Sequence, residues 1–409
     1  MLIMTLLLIV NIFTMYVLKK KLVTILGIFY IGHIIFNNIG WIIAYILIEK
    51  VYVIQGNYKM LENIIFEIYL LNSIIILLLI LHAKTNLSVD RLKEEISIVV
   101  QKNSMLLSFL TIFTATICIV FFLMIDMGKA PLFNIGKYSF EEMKYYRQEI
   151  FNNDILKMLN VVKYLVLYVT IPLIYLKKGL GIKHNIIFDI IFITFSLLTL
   201  SKTAFTLILV FYWIGKYLSS SSIKYLIALF VSISLSFYLI VYATYYVDVR
   251  RDFQSVFEIL IIRLLASPIS LSALYSQVFS FEQGYRSSTY YALLFGGNVV
   301  QIPIIAMQNI DINSKGNAPT GIIGSAFPNI PFMLHWLYYL IFGLYIFIIS
   351  MISNKINNIL LSYILVPLLG ILTWFIYLTD PLVALNSYGI IYLSVVIIII
   401  KLLQPKRNE

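Results

Sequence analysis

Apolar runs of about 20 residues recur along this chain, and that is the length at which a helix crosses a bilayer. They fall at 2–18, 22–48, 64–83, 105–126, 158–176, 186–200, 203–218, 225–246, 332–352, 359–379 and 388–402. Strands of a membrane barrel would be shorter and would alternate apolar with polar residues, so the pattern predicts helices. The expected fold is an all-α polytopic membrane protein with about eleven transmembrane helices. Composition agrees: 61% of residues are hydrophobic and 12% charged, with a mean hydropathy of +0.94. A soluble domain carries roughly a quarter charged residues.

The formal charge of +11 does not point to nucleic acid. In a membrane protein Lys and Arg collect in cytoplasmic connections and set orientation. Lys19, Lys20, Lys21, the KTNLSVDRLKEE connection, Lys177, Lys178, Lys183, Lys216, Lys224, Lys355, Lys406 and Arg407 all fall in alternate connections. The N-terminus is therefore expected outside and the C-terminus in the cytoplasm. The first apolar run precedes its lysines, the reverse of a cleavable signal, and reads as a retained helix. Cys118 is the one cysteine and lies inside an apolar run, so no intramolecular disulfide forms.

The chain divides into a helical bundle over 1–246, a long outer loop over 247–331, and closing helices with a cytoplasmic tail over 332–409. The other outward connections are 49–63, 127–157, the turn at Ser201-Lys202-Thr203, and 380–387. Residues 127–157 interleave Tyr and Phe with charges, as an interfacial helix does. The long loop holds five of the ten prolines and ends in the turn-rich run GNAPTGIIGSAFPNIPF, the composition of a structured segment serving a cleft. Within it, 256–277 and 290–307 are apolar but carry Glu258, Arg263 and Pro268, or Gly296, Gly297, Asn298 and Pro303. A charge at mid-bilayer costs about 3 kcal/mol on insertion scales. Both stretches are therefore expected to pack against, or dip into, the outer leaflet.

Several basic residues are predicted near one outer depth: Lys163, Lys202, Arg250, Arg251 and Arg263. Single cations there often snorkel. Arg263 is flanked by apolar residues on nearly every helical face, so a buried guanidinium paired with an anion is expected. That anion is either a carboxylate (Asp248, Asp252 or Glu258) or a ligand phosphate held bidentately. Glu258 and Glu282 are candidate general bases, and nothing in their spacing selects between them. The four histidines are scattered and no Asp-x-Asp pair occurs in an outer loop, so no metal site is legible and no cofactor is expected. His335, beside Trp336 at the start of a run, reads as interfacial packing.

These features resemble the O-antigen polymerases (oligosaccharide repeat-unit polymerases, the Wzy class). SLLTLSKTAFTLILV resembles that family's turn between two mid-chain helices, with Lys202 where arginine is more usual. EILIIRLLASPISLSALY resembles the arginine-bearing helix of its long outer loop, which puts Arg263 on the family's arginine. GNAPTGIIGSAFPNIPFMLHWLYYLIFGLYIF resembles its small-residue approach to the next span, with Pro328 and Asn329 where an aromatic–glycine step is common.

The resemblance implies a GT-C-like bundle in a bacterial inner membrane and an inverting, metal-independent glycosyltransferase. An acceptor sugar hydroxyl would attack the anomeric carbon of a glycan on undecaprenyl pyrophosphate, which leaves. Arg263 and Arg251 are then the first candidates to stabilise the leaving diphosphate. Arg250, Lys202, Lys163, Arg286 and Arg147 would assist, and Tyr285 and Tyr290 would stack on sugars. Implied partners are the carrier-linked oligosaccharide, membrane lipid, a chain-length regulator and a flippase. An O-antigen ligase remains an alternative, although its long loop carries a histidine and residues 247–331 have none. A flippase or transporter for lipid-linked sugars is the other.

Overall fold

The computed structural model describes residues 1–18, 21–22, 24–54, 56–82, 104–135, 171–179, 185–198, 202–220, 261–279, 302–310, 320–356, 366, 368–387 and 390–403, with isolated positions between them. Among these the regular structure is helical, without a strand. In chain order the helices are α1 (Leu2–Val17), α2 (Ile25–Ile46), α3 (Tyr58–Asn63), α4 (Ile65–Leu81), α5 (Ser104–Met124), α6 (Ile171–Gly179), α7 (Ile186–Leu198) and α8 (Lys202–Ser220). They continue with α9 (Ser267–Val278), α10 (Ile302–Ile310), α11 (Ile322–Asn329), α12 (His335–Ser353), α13 (Leu368–Tyr377), α14 (Pro381–Ser387) and α15 (Ile390–Leu403). Among the described residues three helices are long and apolar enough to cross a membrane: Ile25–Ile46, Tyr58–Leu81 and Phe332–Ser353. Shorter apolar helices lie at further expected spans, including Leu2–Val17, Thr111–Met124 and Ile186–Phe195.

The chain falls into two compact units, Met1–Leu87 with Ile261–Glu409, and Ser88–Leu260. In the first, α2 is the central helix: 72% of its apolar window is buried, against 44% for Tyr58–Leu81 and 39% for Phe332–Ser353. Its neighbours reach it where side chains are missing. A Cβ on Gly32 would lie 2.4 Å from the Trp374 ring, and one on Gly40 2.6 Å from the Leu265 carbonyl oxygen. On the facing side, a Cβ on Gly370 would lie 2.8 Å from Ile28. Lipid offers no hydrophobic drive for helix association, so such close approach supplies the contact energy. Trp374 Nε1 and the Tyr377 hydroxyl donate to the carbonyls of Ile28 and Phe29 at 2.7 and 3.0 Å. Thr24 caps α2 by accepting from Gly27 N at 2.9 Å. Midway, α2 widens into a π-helical turn at Ile34–Ile39.

Helices α4, α12 and α15 run parallel. His335 at the start of α12 meets Glu67 at the start of α4, and further along Gly343 faces Leu78 and Phe347 faces His82. Tyr345 then bonds Ser394 of α15 at 2.7 Å, and Lys401 Nζ donates to the Lys355 carbonyl at 2.7 Å. Lys21 donates to the last carbonyls of α4, at Leu79 and Ile80, over 2.9 and 2.7 Å. Lysines thus gather at the C-terminal ends of the parallel helices, where the helix dipole favours cations. Large apolar residues such as Phe13, Phe66, Leu77, Met333 and Ile341 are exposed on the outer faces of α1, α4 and the run entering α12, the surface a lipid environment covers.

In the second unit, α6 and α8 meet backbone to backbone at two glycines. A Cβ on Gly179 would lie 2.3 Å from the Tyr212 carbonyl oxygen, and one on Gly215 2.6 Å from that of Leu176. Lys178 of α6 pairs with Asp189 of α7, and Phe121 of α5 meets Phe195 of α7 edge-on at 5.5 Å. The expected interfacial helix over 127–157 lies mostly outside the described residues; its start forms short 3-10 turns at Met127–Lys129 and Pro131–Asn134.

Residues 261–277 of the first stretch, expected to pack against or dip into the outer leaflet, are packed inside the first unit. A π-helical turn at Ile262–Ala266 leads into α9, whose Pro268, Ile269, Ser270, Ser272, Ala273, Leu274 and Tyr275 are buried. Small residues make the fit: a Cβ on Gly324 of α11 would lie 2.9 Å from Ser272 Cα, and Ser272 Oγ lies 3.0 Å from Thr320 Oγ1. Of the second stretch, 290–307, only the part within α10 is described. Gly40→Val should lower the unfolding free energy by about 1–3 kcal/mol through overpacking. The readout is a fall in melting temperature of the detergent-solubilised protein, and an unchanged value would mean that the crossing at Leu265 is loose.

Candidate functional site

Where α2 meets the run into α9, two π-helical turns face each other, a geometry that recurs at functional sites. The turn in α2 carries Asn37, whose amide bonds His33 Nδ1 at 2.9 Å, and Asn38, which is fully buried with no protein partner for either amide atom among the described residues. The facing turn carries Arg263. Leu265 lies against Gly40, six residues before the end of α2 at Ile46, which is about 9 Å along a helix. From there α9 runs beside the outer half of α2 to α3. The segment is thus a short helix packed beside the second half of α2, with most of its residues buried in protein.

Arg263 itself is exposed, not enclosed as the apolar flanks suggested. A π-turn takes in one extra residue and rotates the helix beyond it, so the 3.6-residue periodicity behind that expectation does not hold across it. Of the other expected site residues, Glu258 is partly buried and belongs to the second unit. Lys202 is the first residue of α8, with its side chain outside the described set. Arg251, Arg250, Arg147, Lys163, Glu282, Arg286, Tyr285 and Tyr290 all lie outside the described residues.

At the other end of α9 a cleft of about 600 Å³ opens between the 49–63 connection, α9 and α10. Val53, Ile54, Met60, Leu274 and Val278 form its apolar part, and Asn57, Gln277 and Asn309 its polar part. Aromatic packing holds the first wall in place. Trp41 Nε1 donates to the Leu61 carbonyl at 2.8 Å, Tyr45 stacks on Trp41 at 5.2 Å, and Tyr58 meets Tyr45 at 4.7 Å.

A second polar cluster joins the start of α4 to the start of α12. Glu67 accepts from the Tyr339 hydroxyl at 2.6 Å and meets His335 Nδ1 at 3.1 Å, with His335 Nε2 3.2 Å from the Ile330 carbonyl. Both ring nitrogens lie within hydrogen-bond distance of oxygens, one of Glu67 and one of the backbone. Glu67 and His335 are each 1% exposed. His335 is therefore a buried, hydrogen-bonded residue between two helices, and not at an exposed interface. Phe327 and Phe332 meet it edge-on at 5.1 and 5.3 Å, and the Pro328-bearing turn of α11 is tied down by Ser325 Oγ, 3.1 Å from the Tyr338 hydroxyl. Glu67 was available to sequence reasoning as an acid inside an apolar run, the signal that marks intramembrane function or pairing.

Among the described residues no group of three His, Cys, Asp or Glu is placed to hold a metal ion. No family model matches this chain, and neither the curated proteins nor the solved structures contain a match. Removing the carboxylate with Glu67→Ala should cost about 1–3 kcal/mol, because it leaves buried hydrogen-bonding partners at His335 and Tyr339 unsatisfied. Glu67→Ala and His335→Ala should combine to much less than the sum of their separate costs. Denaturant unfolding of the single and double variants in detergent tests both statements.

Proposed function

We propose that this protein polymerises surface polysaccharide, joining oligosaccharide repeat units carried on undecaprenyl pyrophosphate at the non-cytoplasmic face of a bacterial inner membrane. The observation that carries the reading is the largely buried helix α9 packed beside α2, with Arg263 exposed in the turn that leads into it. The lysine-rich ends of the parallel helices, taken as cytoplasmic, put the 49–63 connection and the outer end of α9 on the opposite face. A carrier lipid entering from the bilayer would meet Arg263 with its diphosphate, while its glycan extends into the aqueous side.

The chemistry asks little else of the protein. Pyrophosphate is a competent leaving group, so the main requirement is fixed positive charge where negative charge develops. Arg263 supplies it from a turn whose backbone is locked against Gly40. Arg251, Arg250 and Lys202 remain its proposed helpers. Either Glu258 or Glu282 would accept the proton of the attacking hydroxyl. A flippase and a chain-length regulator are the partners such an activity needs.

Purified protein given synthetic undecaprenyl-pyrophosphate-linked repeat unit and a chelator should form polymer. Arg263→Ala should reduce the rate by about 10²-fold or more, and Arg263→Lys should fall between, since lysine keeps the charge and loses the bidentate fork. Melting temperatures of both variants check that each is folded. Polymer made by the alanine variant at the wild-type rate would remove this residue from the mechanism.

A further inference from the structure

The cleft at the outer end of α9 has a chemistry distinct from the Arg263 turn. Its described lining contains no charged residue: three carboxamides, Asn57, Gln277 and Asn309, stand among aliphatic side chains. All three amides lie on exposed residues. Asn309 Nδ2 is committed to its own Ile305 carbonyl at 2.9 Å, which leaves Oδ1 as the acceptor it offers. Neutral donors and acceptors beside apolar surface suit a ligand rich in hydroxyls and C–H faces. They give a phosphate or carboxylate no counter-charge.

Position adds to composition. Gln277 lies fourteen residues along one helical run from Arg263, about 20 Å at the rise of a helix. A glycan whose linkage is held at Arg263 therefore reaches this cleft only with sugars several units away from the bond being made.

We propose that the cleft is a remote subsite for a neutral oligosaccharide, holding the distal part of the growing chain and so setting how many additions occur before release. Its place on that chain rests on the polymerase reading; its preference for neutral carbohydrate does not. Each addition is the same transfer at the Arg263 end. The cleft contributes retention between additions, as a second, tethered contact does by raising effective concentration.

The test uses the full chain in nanodiscs and two variants at exposed positions, Gln277→Trp to fill the cleft and Asn309→Ala to remove an acceptor. Melting temperatures confirm that both are folded. The first measurement is binding to an array of immobilised neutral and acidic oligosaccharides. Neutral members should be retained by the wild type, at least tenfold less by Gln277→Trp, and more weakly by Asn309→Ala. Absence of binding, retention of acidic members alone, or indifference to Gln277→Trp overturns the proposal. The second measurement is product length in the carrier-linked assay. Gln277→Trp should join two repeat units at the wild-type rate yet give a shorter length distribution. Unchanged lengths despite lost array binding would take the cleft off the path of the growing chain. Array binding by a wild type that makes no polymer would instead sink the polymerase reading and leave the carbohydrate site standing.

Discussion

Close backbone approach at α2 is the contact on which the first unit depends. Gly32 admits the Trp374 ring, Gly40 admits the Leu265 carbonyl, and Ile28 is met by Gly370. In water, apolar side chains would bring these helices together; in lipid that drive is absent, and packing at short range with hydrogen bonds between helices must replace it. The indole of Trp374 and the hydroxyl of Tyr377 add those bonds at the first turn of α2. One helix is thereby held from several sides, and its neighbours inherit their positions from it.

The run into α9 depends on the same contact. Backbone buried among helices must keep its polar groups satisfied throughout. The run into α9 does so by lying against α2 at Gly40 and against α11 at Gly324. Two π-turns meet at its lower end, and the wider turn changes which side chains face outward. Arg263 is exposed, while α9 after it buries most of its residues. A cation on such a segment sits at one depth and not another.

The Glu67–His335–Tyr339 cluster has a different task. It joins the first turns of two parallel helices and reaches the Ile330 carbonyl just after α11, while the neighbouring Tyr338 meets Ser325 of α11. Buried hydrogen bonds of this kind add modestly to stability. They are specific in register, however, because shifting α12 by one residue would separate Glu67 from His335 and Tyr339. The pair therefore holds the wall behind α11 in one arrangement.

Helical class and membrane character were legible in the residues themselves, because apolar length is a one-dimensional property and bilayer thickness turns it directly into structure. The positions of α1, α2, α4 and α12 came from it, as did the unusual character of the 256–277 run, whose Arg263 and Pro268 broke an otherwise apolar pattern. Two facts belonged to the fold alone. The exposure of Arg263 depends on a π-turn, a backbone choice set by the contact with Gly40 that no side-chain periodicity encodes. The partnership of Glu67 with His335 spans 268 residues, and nothing in either segment names the other as its partner. Pairing across such a separation is decided by which helices lie parallel and in what register, and only three-dimensional packing settles that.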